Sequence, residues 1–461
     1  MITQHDTIAA ISTPAGSGGI GIIRISGPQA LQILARLFYT KHGQSPCDIT
    51  SHTITYGKIV HKERVIDEAL VSVMRGPNSY TREDVVEINC HGGMLPVSQV
   101  LRAVLESGAR QAEPGEFTKR AFLNGRLSLS QAEAVIDVIN AKTSAALSVA
   151  QAQLRGGLTR KLQDVSDELV MMLARIEVSI DYPEHDEAEV NLHEARAMAG
   201  RLSSDLRKLA DSFEAGRNLR EGVRTLILGR PNVGKSSLLN YLLQADRAIV
   251  TDIPGTTRDL LSESVNIGGV PLVLTDTAGY RHTDDVVERI GVLRSLEQLE
   301  AAQLVLLMLD ASAELTPDDE QIIAQAMGKR VIIIINKNDL PHRLDDTRLA
   351  SVCVSFAPAD IIPMSLVTGE GADSLAVRIA ELFGLGQLDA DNAVIVTNMR
   401  HELALRSAIS ALESAASSHG LPEDIVAIEL DTAAAAIGEI TGRTLLEDVV
   451  DRIFSEFCLG K

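Results

Sequence analysis

The chain has 461 residues, 45% of them hydrophobic and 23% charged, a balance that excludes disordered and collagenous classes and leaves room for about three domains of roughly 150 residues. Acidic residues outnumber basic ones 62 to 43, a formal net charge of -19. That argues against a general coat for polyanions and leaves any nucleic-acid contact to a local basic patch or a partner. Residues 1–6 lack the basic start and apolar core of a signal peptide, and no apolar run reaches the roughly 18 residues a spanning helix needs. A cytoplasmic protein with no membrane association is expected. The four cysteines, Cys47, Cys90, Cys353 and Cys458, lie far apart without Cys-x-x-Cys spacing, against a disulfide framework or a structural zinc site.

Up to about residue 118 short β-rich runs alternate with turn signals. Residues 19–24, 53–56, 69–73 and 85–89 read as strands bounded by Gly-Pro, Pro-Asn and His-Gly-Gly, with helical stretches over 28–37 and 96–106. An α+β domain over 1–118 is expected. The pattern then turns helical. Ser130-Gln-Ala-Glu133 has the spacing of a capping box, and a break falls at Gly156-Gly157. Beyond it Leu158, Leu162, Val165, Leu169, Leu173, Ile176 and Ile180 recur in steps of three and four, one helix face of a bundle. Residues 181–189 are locally acidic and read as a solvated loop.

From 222 to 384 strand, loop and helix repeat. The runs 225–228, 304–309 and 331–335 are continuously apolar, as strands covered on both faces of a parallel sheet should be. Residues 261–267 and 270–275 read as a hairpin across Gly268-Gly269. Helices return over 385–461, the last amphipathic and carrying Leu445, Leu446, Val449, Val450, Ile453 and Phe454. The expected fold class is multidomain α/β: an α/β domain (222–384), which the runs Gly229-x-x-x-x-Gly-Lys-Ser236 and Asn336-Lys-x-Asp339 make a P-loop, Ras-like domain, inserted into an all-helical domain (119–221 and 385–461), preceded by the α+β domain.

Three motifs stand in order on the α/β stretch. Gly229-Arg-Pro-Asn-Val-Gly-Lys-Ser236 follows one strand and opens a helix. A loop that wraps a triphosphate with backbone N–H groups needs glycine, a lysine for the β/γ-phosphates and a hydroxyl for magnesium. Asp276-Thr-Ala-Gly279 ends the hairpin strand, where a carboxylate suits the magnesium shell and the Gly279 amide the γ-phosphate. Asn336-Lys-Asn-Asp339 ends the strand 331–335. Asp339 can accept from N1–H and the exocyclic amine of guanine, a donor pair adenine lacks, so a GTP-hydrolysing domain is expected rather than an ATPase. Thr251 to Asp259 is a polar loop where a switch segment would be ordered, with Thr257 the second magnesium-ligating hydroxyl. Tyr280 stands where Ras-type enzymes carry a water-orienting Gln.

With these motifs the chain resembles the MnmE (TrmE) family of tRNA-modification GTPases over essentially its full length. The resemblance is carried by Pro14 to Gly27, Pro77-Asn-Ser-Tyr-Thr through His91-Gly-Gly93, Pro114-Gly-Glu-Phe-Thr-Lys-Arg-Ala-Phe-Leu-Asn124, Gln131-Ala-Glu-Ala134, the GTPase motifs and the terminal Phe457-Cys-Leu-Gly-Lys461. It implies a tetrahydrofolate-binding first domain that also mediates dimerisation, a helical middle domain, and a GTPase domain that pairs with its twin across the nucleotides. Nucleotide contacts are then expected from Asn232, Val233, Gly234, Lys235, Ser236 and Ser237. They continue through Thr251, Asp252, Ile253, Pro254, Gly255, Thr256 and Thr257, then Asp276, Thr277, Ala278 and Gly279. Asn336, Lys337, Asp339, Ser365 and Leu366 complete the set.

The resemblance further implies Mg2+ on Ser236 and Thr257, and K+ on Asn232, Thr251, Ile253 and Thr256 in the place of an arginine finger. Glu288 falls on the family's water-orienting acid. A 5-formyltetrahydrofolate or related one-carbon folate is expected on Arg24, Glu87, Arg126 and Lys461, with Cys458 as a candidate for chemistry. Arg126 stands where some members carry lysine, which keeps charge and alters geometry. Ser365-Leu366-Val367 replaces the family's Ser-Ala-basic run; Leu366 keeps the backbone N–H for the guanine carbonyl.

The activity implied is a homodimeric, potassium-activated GTPase that, with the flavoprotein MnmG (GidA), adds an aminomethyl or carboxymethylaminomethyl group to C5 of wobble uridine 34 of certain tRNAs. The competing expectation is a ribosome-assembly or signalling switch without modification activity. No KH-type signature, the appendage such switches usually carry, stands in the sequence.

Overall fold

The computed structural model describes residues 6–14, 16–41, 43–181, 188–247, 262–275, 298–384, 394–418, 422–443, 447–455, 457 and 460. It divides into two compact units. One is built from Met1–Ile136, Gln153–Ser204 and Ser407–Lys461, the other from Asp137–Ala152 and Asp205–Arg406. Among the described residues no helix is long and apolar enough to cross a membrane.

The first unit holds a seven-stranded sheet in the order β3-β4-β5-β6-β2-β1-β7. Its strands are β1 (Ile8–Ile11), β2 (Ile20–Ser26), β3 (Phe38–Thr40), β4 (Thr53–His61), β5 (Arg64–Met74), β6 (Val85–His91) and β7 (Arg110–Gln111). Period-two alternation sorts the side chains. Ile23, Ile25, Val86, Ile88, Val71 and Val73 are buried in one core with Leu31, Ile33 and Leu34 of α1 (Ala30–Leu37) and Val100 and Val104 of α2 (Met94–Glu106). Ile20, Ile22 and Arg24, with Glu87, Asn89 and His91, therefore belong to the opposite face. β4 and β5 extend well beyond the runs legible in sequence. β1, β3 and β7 have four, three and two residues, too short for a periodic signal. α2 starts two residues before Pro96, which sits in the first turn where no N–H is needed.

The helical part of this unit corrects three expectations. α3 (Glu116–Leu123) is followed by α4 (Leu129–Asn140), and the reciprocal cap is Ser128 with Gln131, not Ser130 with Glu133. Gln131 N donates to Ser128 Oγ at 3.3 Å and Ser128 N to Gln131 Oε1 at 2.9 Å. The first helical bond runs from Ala132 N to Ser128 O. Ser130 lies inside the first turn and shares a bond with Thr159. The helix starts earlier because Leu129 is fully buried. α5 (Ser144–Leu154) leads to α6 (Gly157–Asp181), which packs on the helix Glu423–Thr441. The buried stripe of α6 runs Leu158, Leu162, Val165, Leu169, Met172, Ile176. It passes through Met172 rather than Leu173, because a step of three after Leu169 keeps the stripe facing the core, and Ile180 is 44% exposed. α7 (Ala188–Asp211) begins within the acidic stretch read as loop, so residues 188 and 189 are helical; residues 182–187 lie outside the described ones. The last helix spans Glu447–Ser455 and buries Val450 and Phe454 with Leu129 and Phe457; Leu445 and Leu446 lie outside the described residues.

The second unit follows α8 (Phe213–Glu221) with a six-stranded sheet, order β13-β12-β11-β8-β10-β9. Here β8 is Val223–Leu228, β9 Ser262–Ile267, β10 Val270–Thr275, β11 Leu304–Asp310, β12 Val331–Asn336 and β13 Ile361–Pro363. All neighbours are parallel except the β9–β10 hairpin. The continuous apolar runs divide by parity. Leu304, Leu306, Met308, Ile332 and Ile334 pack with Leu238 and Leu242 of α9 (Lys235–Arg247), while Val305, Leu307, Leu309, Ile333 and Ile335 pack with Ile323 and Leu349. Two faces, each with its own core, are what such runs require.

Candidate functional site

In parallel sheets ligands sit beyond the carboxyl ends of the strands, and two of the three sequence motifs, Gly229 to Ser236 and Asn336 to Asp339, meet there among the described residues. The loop after β8 turns through Gly229 at φ +147°, Asn232 at φ +66° and Gly234 at φ +108°. A Cβ on Gly229 would stand 2.6 Å from Met308 O, and one on Gly234 2.4 Å from Asn336 Nδ2, so both positions need glycine for close approach as well as for φ. Asn232 is the residue type that tolerates the left-handed region. α9 then starts at Lys235, placing Ser236 and Ser237 in its first turn, where unpaired N–H groups favour an anion. Lys235 Nζ donates to the loop's own carbonyls, Gly229 O at 2.6 Å and Arg230 O at 2.7 Å. Burial lowers its pKa below the usual lysine value.

Asn336, at the end of β12, is 3% exposed and bridges two loops. Its Nδ2 donates to Val233 O at 2.8 Å, and its Oδ1 accepts from Leu366 N at 3.4 Å. The buried Ser365 hydroxyl donates to Asp339 Oδ1 at 2.7 Å. One carboxylate oxygen is thereby fixed, and Oδ2 remains for a base edge. Lys337, at φ +65°, pairs its ammonium with Asp310 Oδ2 at 2.5 Å. Burial alone would raise Asp310; hydrogen bonds from Lys337 and Ser312 outweigh it and hold the carboxyl below its ordinary range. Asn232 to Ser237, Asn336, Lys337, Asp339, Ser365 and Leu366 are thus brought together. Thr251, Asp252, Ile253, Pro254, Gly255, Thr256, Thr257, Asp276, Thr277, Ala278, Gly279 and Glu288 lie outside the described residues; β10 ends one residue before Asp276.

Sequence reasoning missed an anchor of the phosphate loop. Arg230 Nε pairs with Asp319 Oδ1 at 2.6 Å, and Asp319 is 2% exposed. The same carboxylate closes a capping box with Thr316 at the start of the helix Pro317–Gln325. Thr316-Pro-Asp-Asp319 carries that cap signal in the sequence; its partner in the loop carries none.

The first unit gathers a second set. Arg24 of β2 and Glu87 of β6 are register partners, and Arg24 Nε and Nη2 both lie 2.8 Å from Glu87 Oε1. Arg126 places its guanidinium 4.7 Å from the Tyr80 ring centroid and donates to Tyr80 O at 3.0 Å. The chain's end reaches the same place. Ser12 Oγ donates to Gly460 O at 3.0 Å, and Arg24 Nη1 lies 3.5 Å from that carbonyl. Gly460, at φ +91°, would carry a Cβ 2.1 Å from Ile11 O, so only glycine permits this approach. Phe457 is buried against Gly115 and Phe454. Cys458 and Lys461 lie outside the described residues, between and beyond these two contacts. Among the described residues no cluster of three or more His, Cys, Asp or Glu could hold a metal.

Comparison with known proteins adds the following. Residues 7–126 match the family model "GTP-binding protein TrmE N-terminus", and residues 129–458 match "MnmE helical domain". The chain is 50% identical to the tRNA modification GTPase MnmE of Geobacillus kaustophilus and to that of Geobacillus thermodenitrificans, over 100% of each chain. It is 48% identical to that of Alkaliphilus oremlandii over 99% of each.

Proposed function

The chain belongs to the MnmE family of tRNA modification GTPases, and on that premise we propose that it is a potassium-activated GTPase that modifies C5 of wobble uridine 34 of certain tRNAs together with a flavoprotein of the MnmG (GidA) kind. The group added is aminomethyl or carboxymethylaminomethyl. GTP is the nucleotide, with Mg2+ as its companion ion, tRNA is the substrate, and the site of action is the cytoplasm. The observation that carries the reading is the single hydrogen-bonded unit in which Asn336 ties the phosphate loop to the Ser365–Asp339 pair.

Within it each residue has a physical task. The α9 N-terminus and the loop amides receive the phosphates, and Lys235 leaves the loop carbonyls for the β/γ oxygens. Asp339 reads the base. Ser236 offers magnesium a hard hydroxyl oxygen, with Thr257 as its second hydroxyl. Asn232, at φ +66° in the loop before α9, would hold a potassium ion together with Thr251, Ile253 and Thr256. When bound, these cations supply charge compensation at the phosphates. Glu288 would orient the attacking water.

The Arg24–Glu87 pair and Arg126 fit a reduced one-carbon folate, which brings both a hydrogen-bonding pterin edge and carboxylates; Lys461 would join them and Cys458 would lie close by. The sheet face that carries Arg24 and Glu87 also exposes Ile20 (64%), Ile54 (70%), Tyr56 (46%) and Leu70 (46%). That open apolar surface supports a homodimer through this domain.

Two measurements test the reading. Purified protein should hydrolyse GTP markedly faster in potassium than in sodium buffer; equal rates remove the cation assignment. Mass analysis of tRNA from cells lacking the protein should find the wobble uridines unmodified. Unchanged uridines would instead favour an assembly or signalling switch.

A further inference from the structure

Arg24 and Arg126 are two cations beside one ring, and their surroundings differ. The Arg24 side chain is 18% exposed and held by Glu87, with Tyr80 and Phe117 ring centroids 5.6 and 5.7 Å from its guanidinium carbon. Its charge is already matched. Arg126 is exposed, and its described partners are the Tyr80 carbonyl and the Tyr80 ring, neither of them a carboxylate. Nearby, Arg82 likewise bonds a carbonyl, Asn124 O at 2.9 Å. The Tyr80 ring is itself fixed, because its hydroxyl shares a 2.9 Å hydrogen bond with the buried Thr118 hydroxyl. A flexible arginine on a surface turn ordinarily samples many rotamers. Here the ring face and backbone carbonyl of one residue hold it next to a matched ion pair, with its charge uncompensated.

We propose that Tyr80 is a positioning residue that seats the Arg126 guanidinium beside the Arg24–Glu87 pair, and that Arg126 so seated makes the site selective for a pteridine bearing a carboxylate tail. This rests on the folate reading and deepens it. Glu87, engaged by Arg24, belongs to the pterin side. The tail carboxylate finds a guanidinium beside the pair whose planar donors meet no anion among the described residues, and the ring keeps that plane oriented for a two-point bond.

The test uses the full-length protein and two probes, 5-formyltetrahydrofolate and the methyl ester of its glutamate-free analogue 5-formyltetrahydropteroate, which carries no free carboxylate, with calorimetric binding to the wild type and to Tyr80→Leu, Tyr80→Phe and Arg126→Gln. The wild type should prefer the glutamate-bearing probe by about tenfold or more, the worth of a charge-assisted bond. Tyr80→Leu and Arg126→Gln should each abolish most of that preference while the glutamate-free probe binds as before. Tyr80→Phe, which keeps the ring, should retain it. A merely structural role for Tyr80 would weaken both probes together and leave their ratio intact, and that result overturns the proposal. So does an unchanged preference in Arg126→Gln, which alters only an exposed side chain and stands even if Tyr80→Leu folds poorly. Failure of the wild type to bind either probe removes the folate reading itself, and the proposal with it.

Discussion

Asp339→Asn is expected to lower affinity for GTP by about two orders of magnitude or more and to transfer the preference to xanthosine triphosphate. Guanine presents two donors, N1–H and the exocyclic amine, to one carboxylate. Ser365 already donates to Asp339 Oδ1, so the side chain cannot rotate freely, and the base meets a fixed acceptor. An amide in its place offers one acceptor and one donor. The donor would face the guanine amine, leaving two N–H groups opposed, whereas xanthine has a carbonyl at that position and restores both bonds. Competition against a fluorescent guanine nucleotide, run with both triphosphates, reads the exchange directly. If GTP and xanthosine triphosphate kept their wild-type ranking, the base-reading assignment would be lost, although the phosphate loop would stand. Asp339→Ala separates the two contributions, since it removes the acceptor without supplying a new donor.

The parts of this site legible in sequence were those in which chemistry and chain order coincide. A loop between an apolar strand and a helix must contain Gly229, Gly234, Lys235 and Ser236 within eight residues, so the spacing is itself the signal. The continuous runs of β11 and β12 likewise announce burial on both faces, and parity within them predicts two cores. Contacts formed across the chain leave no such mark. Arg230 and Asp319 are distant in sequence, and a single arginine in a loop does not name its partner. The same holds for Tyr80 beneath Arg126, which a reading of charged positions alone passes over. Capping errors have another origin. Ser128, Ser130, Gln131 and Glu133 offer two overlapping cap patterns, and the choice is made by Leu129, whose burial fixes where the helix must start. Local propensity proposed both registers and tertiary packing selected one.

Glu116→Gln should destabilise the first unit by about 3–5 kcal/mol at neutral pH, the range for breaking a buried ion pair from one side. Glu116 is 2% exposed and receives four donors: Arg110 Nη2 at 2.6 Å, Arg110 Nη1 at 3.0 Å, Arg120 Nη2 at 3.1 Å and the Glu113 amide at 2.8 Å. Arg120, 6% exposed, also holds Asp6 and Glu83. An isosteric amide turns one acceptor into a donor aimed at guanidinium groups, so the loss is electrostatic and leaves no cavity. Its pH dependence gives the sharper check. Burial raises the Glu116 carboxyl, and bonds from Arg110, the Glu113 amide and Arg120 outweigh it, leaving the folded-state pKa below the ordinary 4.5; Asp6 is likewise held below its ordinary 3.8. A depressed folded pKa contributes stability that is complete above the unfolded value and is lost as pH falls through the folded one. The wild type should therefore approach the variant on acidification, since a protonated Glu116 and a glutamine present the same uncharged group to Arg110 and Arg120. Denaturant unfolding of both proteins from pH 7 down to pH 3 should show the gap constant above about pH 5 and narrowing below it. A gap that stayed constant through the acid range would mean that the variant suffers from altered packing rather than from the lost charge.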